Sequence, residues 1–129
     1  MQNKESLYPL DWLGKAKEDL ERVGRRIEES DLSDAAFHLQ QAIEKYLKAY
    51  LLSQGWRLKK IHDLRALLEE IIEIDASFSP YLPLCREVTA YYQLERYPFF
   101  KQPPSSKELK NNLDKARELA NQVEKEVKK

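Results

Sequence analysis

The chain has 129 residues, 42% of them apolar and 34% charged, with 22 basic and 22 acidic side chains and a formal net charge of zero. That is too apolar for disorder and too charged for a membrane protein, and it lacks the basic excess of a chain built to hold nucleic-acid backbone, so any such contact must come from a local patch. The single cysteine, Cys85, excludes an intrachain disulfide and a four-cysteine metal site.

No stretch reads as the apolar core of a signal peptide, and no run approaches the ~18 apolar residues of a membrane span. One soluble, cytoplasmic domain over residues 1–129, without a membrane partner, is expected. Three glycines are too few for the turns of a sandwich or a doubly wound sheet. Apolar spacing then sets the elements in chain order. Leu10, Leu13, Ala16, Leu20, Val23 and Ile27 recur every three or four residues and predict a first helix. Asp31 or Ser33 can cap a second, in which Leu32, Ala35, Leu39, Ala42, Ile43, Tyr46, Leu47 and Tyr50 form a stripe broad enough for the centre of a bundle. Gly55 is placed to stop it.

After the link from Trp56 to Ile61, the residues Leu64, Leu67, Leu68, Ile71 and Ile72 predict a shorter third helix. Ser79, Pro80 and Pro83 interrupt the pattern, and Pro83 suits the first turn of a fourth helix. That helix carries Leu84, Val88, Tyr91 and Tyr92 inward and should end near Glu95, before a proline-rich loop over 96–104. Ser105 with Glu108 reads as a capping box opening a last helix, whose seam is Leu109, Leu113, Ala116, Ala120, Val123 and Val127. That narrow seam suits a helix laid on the outside. The expected fold is all-α, an up-and-down antiparallel bundle of four to five helices.

Several chemistries fail on inventory. Neither glycine-rich phosphate cradle is present, no H-E-x-x-H occurs, and two histidines with one cysteine give no plausible zinc site. Cys85 reads as a small buried residue rather than a nucleophile. No catalytic residue, metal or cofactor is assigned.

Three polar constellations remain. On the second helix Asp34, His38, Gln41, Lys45 and Lys48 fall at steps of four, three, four and three, with Glu44 beside them. This strip is either a solvated face or, lying in a groove, an anion or nucleotide contact with Lys45 and Lys48 as point charges. The second runs from Arg57 to Leu64, where Lys59 and Lys60 precede His62 and Asp63 at a helix start: an anion site or simply a cap. The third is Tyr91, Tyr92, Arg96, Tyr97, Pro98, Phe99 and Phe100, which suits core filling, base stacking or an interface.

The order of these strings is specific. Gln41-Ala-Ile-Glu44-Lys45-Tyr-Leu-Lys48-Ala49, then Gly55, then His62-Asp63-Leu64, then Tyr92 and Arg96-Tyr97-Pro98 resemble the HEPN domain over nearly the whole chain, from about Trp12 to Val123. The resemblance implies a bundle of about five helices that forms homodimers. It also implies a minimal nucleotidyltransferase as partner, in a two-component pair that in some cases is a toxin with its antitoxin, and nucleotide or RNA as a ligand. Carried over by residue, nucleotide or partner binding falls to Gln41, Glu44, Lys45, Lys48, His62, Asp63, Arg96 and Tyr97. Other branches of the family are metal-independent ribonucleases with an R-x(4–6)-H motif. Here the window after Arg96 holds Lys101, Gln102 and Pro103, and no histidine follows. Acid–base cleavage of RNA needs a group that titrates near the working pH, which these residues do not supply, so the expectation is a non-nuclease. A divergent ribonuclease toxin is the alternative.

Overall fold

The computed structural model describes residues 6–93 and 102–129, all of them helical or in connecting turns, with no strand among them. Helix α1 (Pro9–Glu28) starts on a proline, whose missing N–H would have had no helical partner in the first turn. It buries Leu13, Ala16, Leu20, Val23 and Ile27, at steps of three, four, three and four. Leu10, expected on that face, is exposed. Two successive steps of three, from Leu10 to Leu13 and on to Ala16, swing it about 100° off the mean of the stripe.

Helix α2 (Leu32–Ser53) is capped by Asp31, whose side chain accepts from the Asp34 N–H, and it is buried on almost every side. It packs on α1, α3, α4 and α5, so every layer of the core is built on it. Helix α3 (Leu64–Ile74) is capped by Asp63, which accepts from the N–H groups of Arg65 and Ala66. A 3-10 segment, Ala76–Tyr81, sinks Phe78 into the core, where its ring tilts against Tyr50 at 5.0 Å.

Helix α4 (Leu82–Val88) has Pro83 in its first turn and buries Leu84, Cys85 and Val88. It is shorter than its apolar spacing predicts. After Val88 the chain tightens into a 3-10 turn, Thr89–Tyr91, and the Thr89 hydroxyl accepts from the Leu64 N–H at 3.0 Å. Two β-branched residues in succession continue an α-helix poorly, and here one of them has a better hydrogen-bond partner across the fold. Tyr91 is buried; Tyr92 is half-buried. The expected end at Glu95 lies outside the described residues.

Helix α5 (Ser106–Val127) begins with Ser105 accepting from the Glu108 N–H at 3.1 Å. The Glu108 carboxylate accepts from the Tyr91 hydroxyl, which also accepts from Asn112 at 3.0 Å. The expected reciprocal box is thus spent on a tertiary tie. The buried face of α5 also includes Asn112 and Leu119, wider than the predicted seam, because α5 rests on α1 and α2 together. No helix among the described residues is long and apolar enough to cross a membrane.

Candidate functional site

The polar residues of α2 do not face water opposite the core. Gln40, Glu44 and Lys48, one turn apart, are 0%, 5% and 2% exposed and form a continuous ladder. Lys48 Nζ donates to Glu44 Oε2 at 2.9 Å, and Gln40 Nε2 donates to Glu44 Oε1 at 3.0 Å. Gln40 Nε2 also reaches the backbone carbonyl of His62 at 3.1 Å, while its Oε1 accepts from Gln41 at 2.7 Å. Trp12 of α1 covers the cation, with Lys48 Nζ 5.7 Å from its ring centroid, and the indole N–H is tied to the Ser6 carbonyl at 2.7 Å. A buried charge is tolerable only when paired and hydrogen-bonded, and Glu44 and Lys48 meet that condition in each other.

The ladder leads outward to His62. Its Nδ1 lies 3.0 Å from Glu44 Oε1, and its ring stacks on Tyr92 with centroids 4.5 Å apart and planes 13° from parallel. Tyr92 in turn stacks on Phe37 of α2 at 6.4 Å. The imidazole side chain is 46% exposed, so the row of rings ends at the surface. The His62 side chain does not cap α3; that of Asp63 does. With Asp63 on two N–H groups and Thr89 on a third, the start of α3 already holds its anion and leaves little for another.

A second network joins α1 to α2. Asp19 receives His38 Nδ1 at 2.9 Å and Lys45 Nζ at 2.5 Å. His38 Nε2 lies 3.4 Å from Asp34, which also pairs with Arg26 at 2.8 Å. Glu29 and Asp34, both bonded to the Arg26 guanidinium, hold its ionisation above the ordinary value. Beside Lys45 an open groove of ≈ 620 Å³ is lined by Leu10, Trp12, Gly14 and Lys15.

Of the residues singled out from the sequence, Gln41, Glu44, Lys48 and His62 thus gather in one place, through Gln40. Lys45 belongs to the α1–α2 network, and Asp63 is a cap. Lys48 and Lys45 are each matched to a carboxylate, so neither is an unpaired point charge. Arg96 and Tyr97, with Pro98, Phe99, Phe100 and Lys101, lie outside the described residues. Sequence reasoning missed Gln40, Trp12, Phe37 and Asp19. Gln40 was within reach, since Gln40, Glu44 and Lys48 repeat every fourth residue; Asp19 and Trp12 lie on another helix, and nothing in their own neighbourhood marks them.

No catalytic metal cluster of histidine, cysteine and carboxylates occurs among the described residues. The family profile described as HEPN domain matches residues 10–126. Among solved structures, the archaeal HEPN homologue ST0689 superposes with a TM-score of 0.75 at 23% identity, covering 93% of this chain and 98% of that one. TT1696 from Thermus thermophilus superposes with a TM-score of 0.76 at 25% identity, covering 92% of this chain and 97% of that one. No curated protein matches the chain.

Proposed function

The chain belongs to the HEPN domain family, and on that premise we propose that it is a binding subunit. It forms a homodimer, assembles with a minimal nucleotidyltransferase in a two-component, toxin–antitoxin-like pair, and takes a nucleotide at the surface around His62. The observation that carries this reading is the buried Gln40–Glu44–Lys48 ladder, which ends on a half-exposed imidazole stacked on Tyr92. Charge buried and paired in this way is an expensive means of holding one surface ring, and a rigid aromatic end is what a base or a partner side chain packs on. Arg96 and Tyr97 join the site on the strength of the sequence resemblance alone.

Purification from native cells with identification of what co-purifies tests the partner, and calorimetric titration with adenosine and AMP tests the ligand. The expected outcome is a stoichiometric small nucleotidyltransferase and nucleotide binding that His62→Ala weakens about fivefold to a hundredfold, the range of one lost base–aromatic stack. A homodimer that recovers no nucleotidyltransferase and binds no nucleotide would sink the reading.

One observation favours the ribonuclease alternative: Glu44 and His62 have the carboxylate–imidazole arrangement of an acid–base pair. RNA incubated with the pure protein without metal decides it. Cleavage that disappears in both His62→Ala and Arg96→Ala would establish the enzyme; intact RNA leaves the binding subunit.

A further inference from the structure

We infer that the neutral imidazole of His62 presents Nε2, unpartnered among the described residues, as a hydrogen-bond acceptor, so that in this form the site engages the donor-bearing part of a nucleotide, its base amine or ribose hydroxyl, and not its phosphate. This rests on the nucleotide reading above and specifies which end of the ligand is held.

The argument is one of proton inventory. Glu44 is buried, bonded to Lys48 at 2.9 Å and to Gln40 at 3.0 Å. Beside that ammonium it is a carboxylate, which accepts hydrogen bonds and donates none. His62 Nδ1, 3.0 Å from Glu44 Oε1, must therefore be the donor. A neutral imidazole has one N–H, so with Nδ1 protonated Nε2 carries only a lone pair. Nε2 has no hydrogen-bond partner among the described residues, and the ring is 46% exposed. Two further contacts hold the ring in place: Gln40 anchors the His62 backbone carbonyl at 3.1 Å, and Tyr92 lies flat against the imidazole.

A phosphate presents oxygen acceptors, and toward a lone pair these are repelled. The lysines of the α2 strip, Lys48 and Lys45, are held by Glu44 and Asp19 and do not offset that repulsion. A ribose hydroxyl or an exocyclic amine, by contrast, donates directly into Nε2. Glu44 and Gln40 are then positioning residues: they set the tautomer and aim the ring without touching the ligand.

Two measurements on the intact protein test this. Long-range proton–nitrogen NMR of the imidazoles, at about pH 8.5 and so about two units above an ordinary imidazole pKa, reads the tautomer. His62 is expected to be protonated on Nδ1, and Glu44→Gln, which replaces an obligate acceptor by a group that can also donate, to mix the two forms. A His62 protonated on Nε2 would overturn the inference, whether or not the variant folds. Titration at the same pH with adenosine, AMP and inorganic phosphate then reads the ligand end. Adenosine and AMP are expected to bind within about threefold of each other, phosphate not to move the His62 signals, and His62→Phe, which keeps the stack but not the acceptor, to lose about tenfold. A preference for AMP above about tenfold, or displacement by phosphate, would mean a phosphate site and defeat it. Unchanged affinity in His62→Phe would also defeat it, leaving stacking alone. If no nucleotide binds while His62 keeps its Nδ1 proton, the ligand assignment falls together with the nucleotide reading, and the proton on Nδ1 shows that the ring geometry was not at fault.

Discussion

Lys48 carries the sharpest consequence at the scale of a single residue. Sequence spacing places it on a polar strip, where truncation to alanine should leave stability alone and weaken binding. Enclosed against Trp12 and bonded to Glu44, it is instead half of a buried ion pair. Removing one partner strands the other charge in a medium that solvates it poorly, at a cost of about 3–5 kcal/mol, whereas replacing both by apolar residues of similar volume is often neutral. Lys48→Met is therefore expected to lower the unfolding free energy by about 3 kcal/mol, and Glu44→Leu with Lys48→Met together to recover most of that. Urea unfolding with an unchanged slope measures both. A mild single variant would mean that water reaches the pair. The double variant also separates fold from function: it should stay folded and lose the tautomer control of His62.

At the scale of the element, the two longest early helices end in the same motif with different residues. After α2, Gly55 at φ 86° donates to the Leu52 carbonyl while Trp56 donates to that of Leu51. After α1, Ser30 at φ 60° donates to Ile27 while Asp31 donates to Arg26. Both are Schellman ends, which need one residue in the left-handed region, where a side chain costs roughly 1–2 kcal/mol and glycine nothing. Ser30→Gly is thus expected to raise stability by up to about 1 kcal/mol, and Gly55→Ala to lower it by about 1 kcal/mol, since nothing crowds the added methyl and the cost is in the backbone alone. Thermal melting of the pair reads the opposite signs. Equal signs would mean that one of the two ends is not in this conformation.

For the molecule as a whole, the core around α2 also encloses a thiol and phenols in their neutral forms. Burial pushes the Tyr46 hydroxyl up to about 12 from 10.0 and the Cys85 thiol up to about 12 from 9.0. Burial, and then the Glu108 carboxylate, raise the Tyr91 hydroxyl further. These groups ionise first in the unfolded chain. Their contribution is fully present below the unfolded values and is lost as pH rises through the folded ones. The urea midpoint is expected to fall from about pH 9 to about pH 12, and Tyr46→Phe to flatten that fall. The native Cys85 thiol is expected to resist a thiol reagent at about pH 8 and to react once the protein is unfolded, because both its burial and its raised pKa withhold the thiolate. Rapid labelling without unfolding would show that α4 opens.

What the residues alone determined is the helical class, the central place of α2, the cap at Ser105 and the stop at Gly55, with the other two caps narrowed to Asp31 or Ser33 and to His62-Asp63. Each of these rests on a local rule: a spacing of three and four, a side chain within reach of the next turn, or one backbone angle. The family, too, was legible, because its strings keep their order along the chain. Local rules could not decide which polar residues are buried. A lysine four residues from a glutamate has the same spacing on a wet face as in a core, and only Trp12 arriving from α1 and His62 from the following loop made this pair a buried one. The same holds for Glu108, whose place in a capping box was readable but whose carboxylate went to Tyr91. Side chains choose partners by distance in space, and where two elements meet is set by how all the apolar faces pack together. The helices are therefore written locally, while the site exists only once they are assembled.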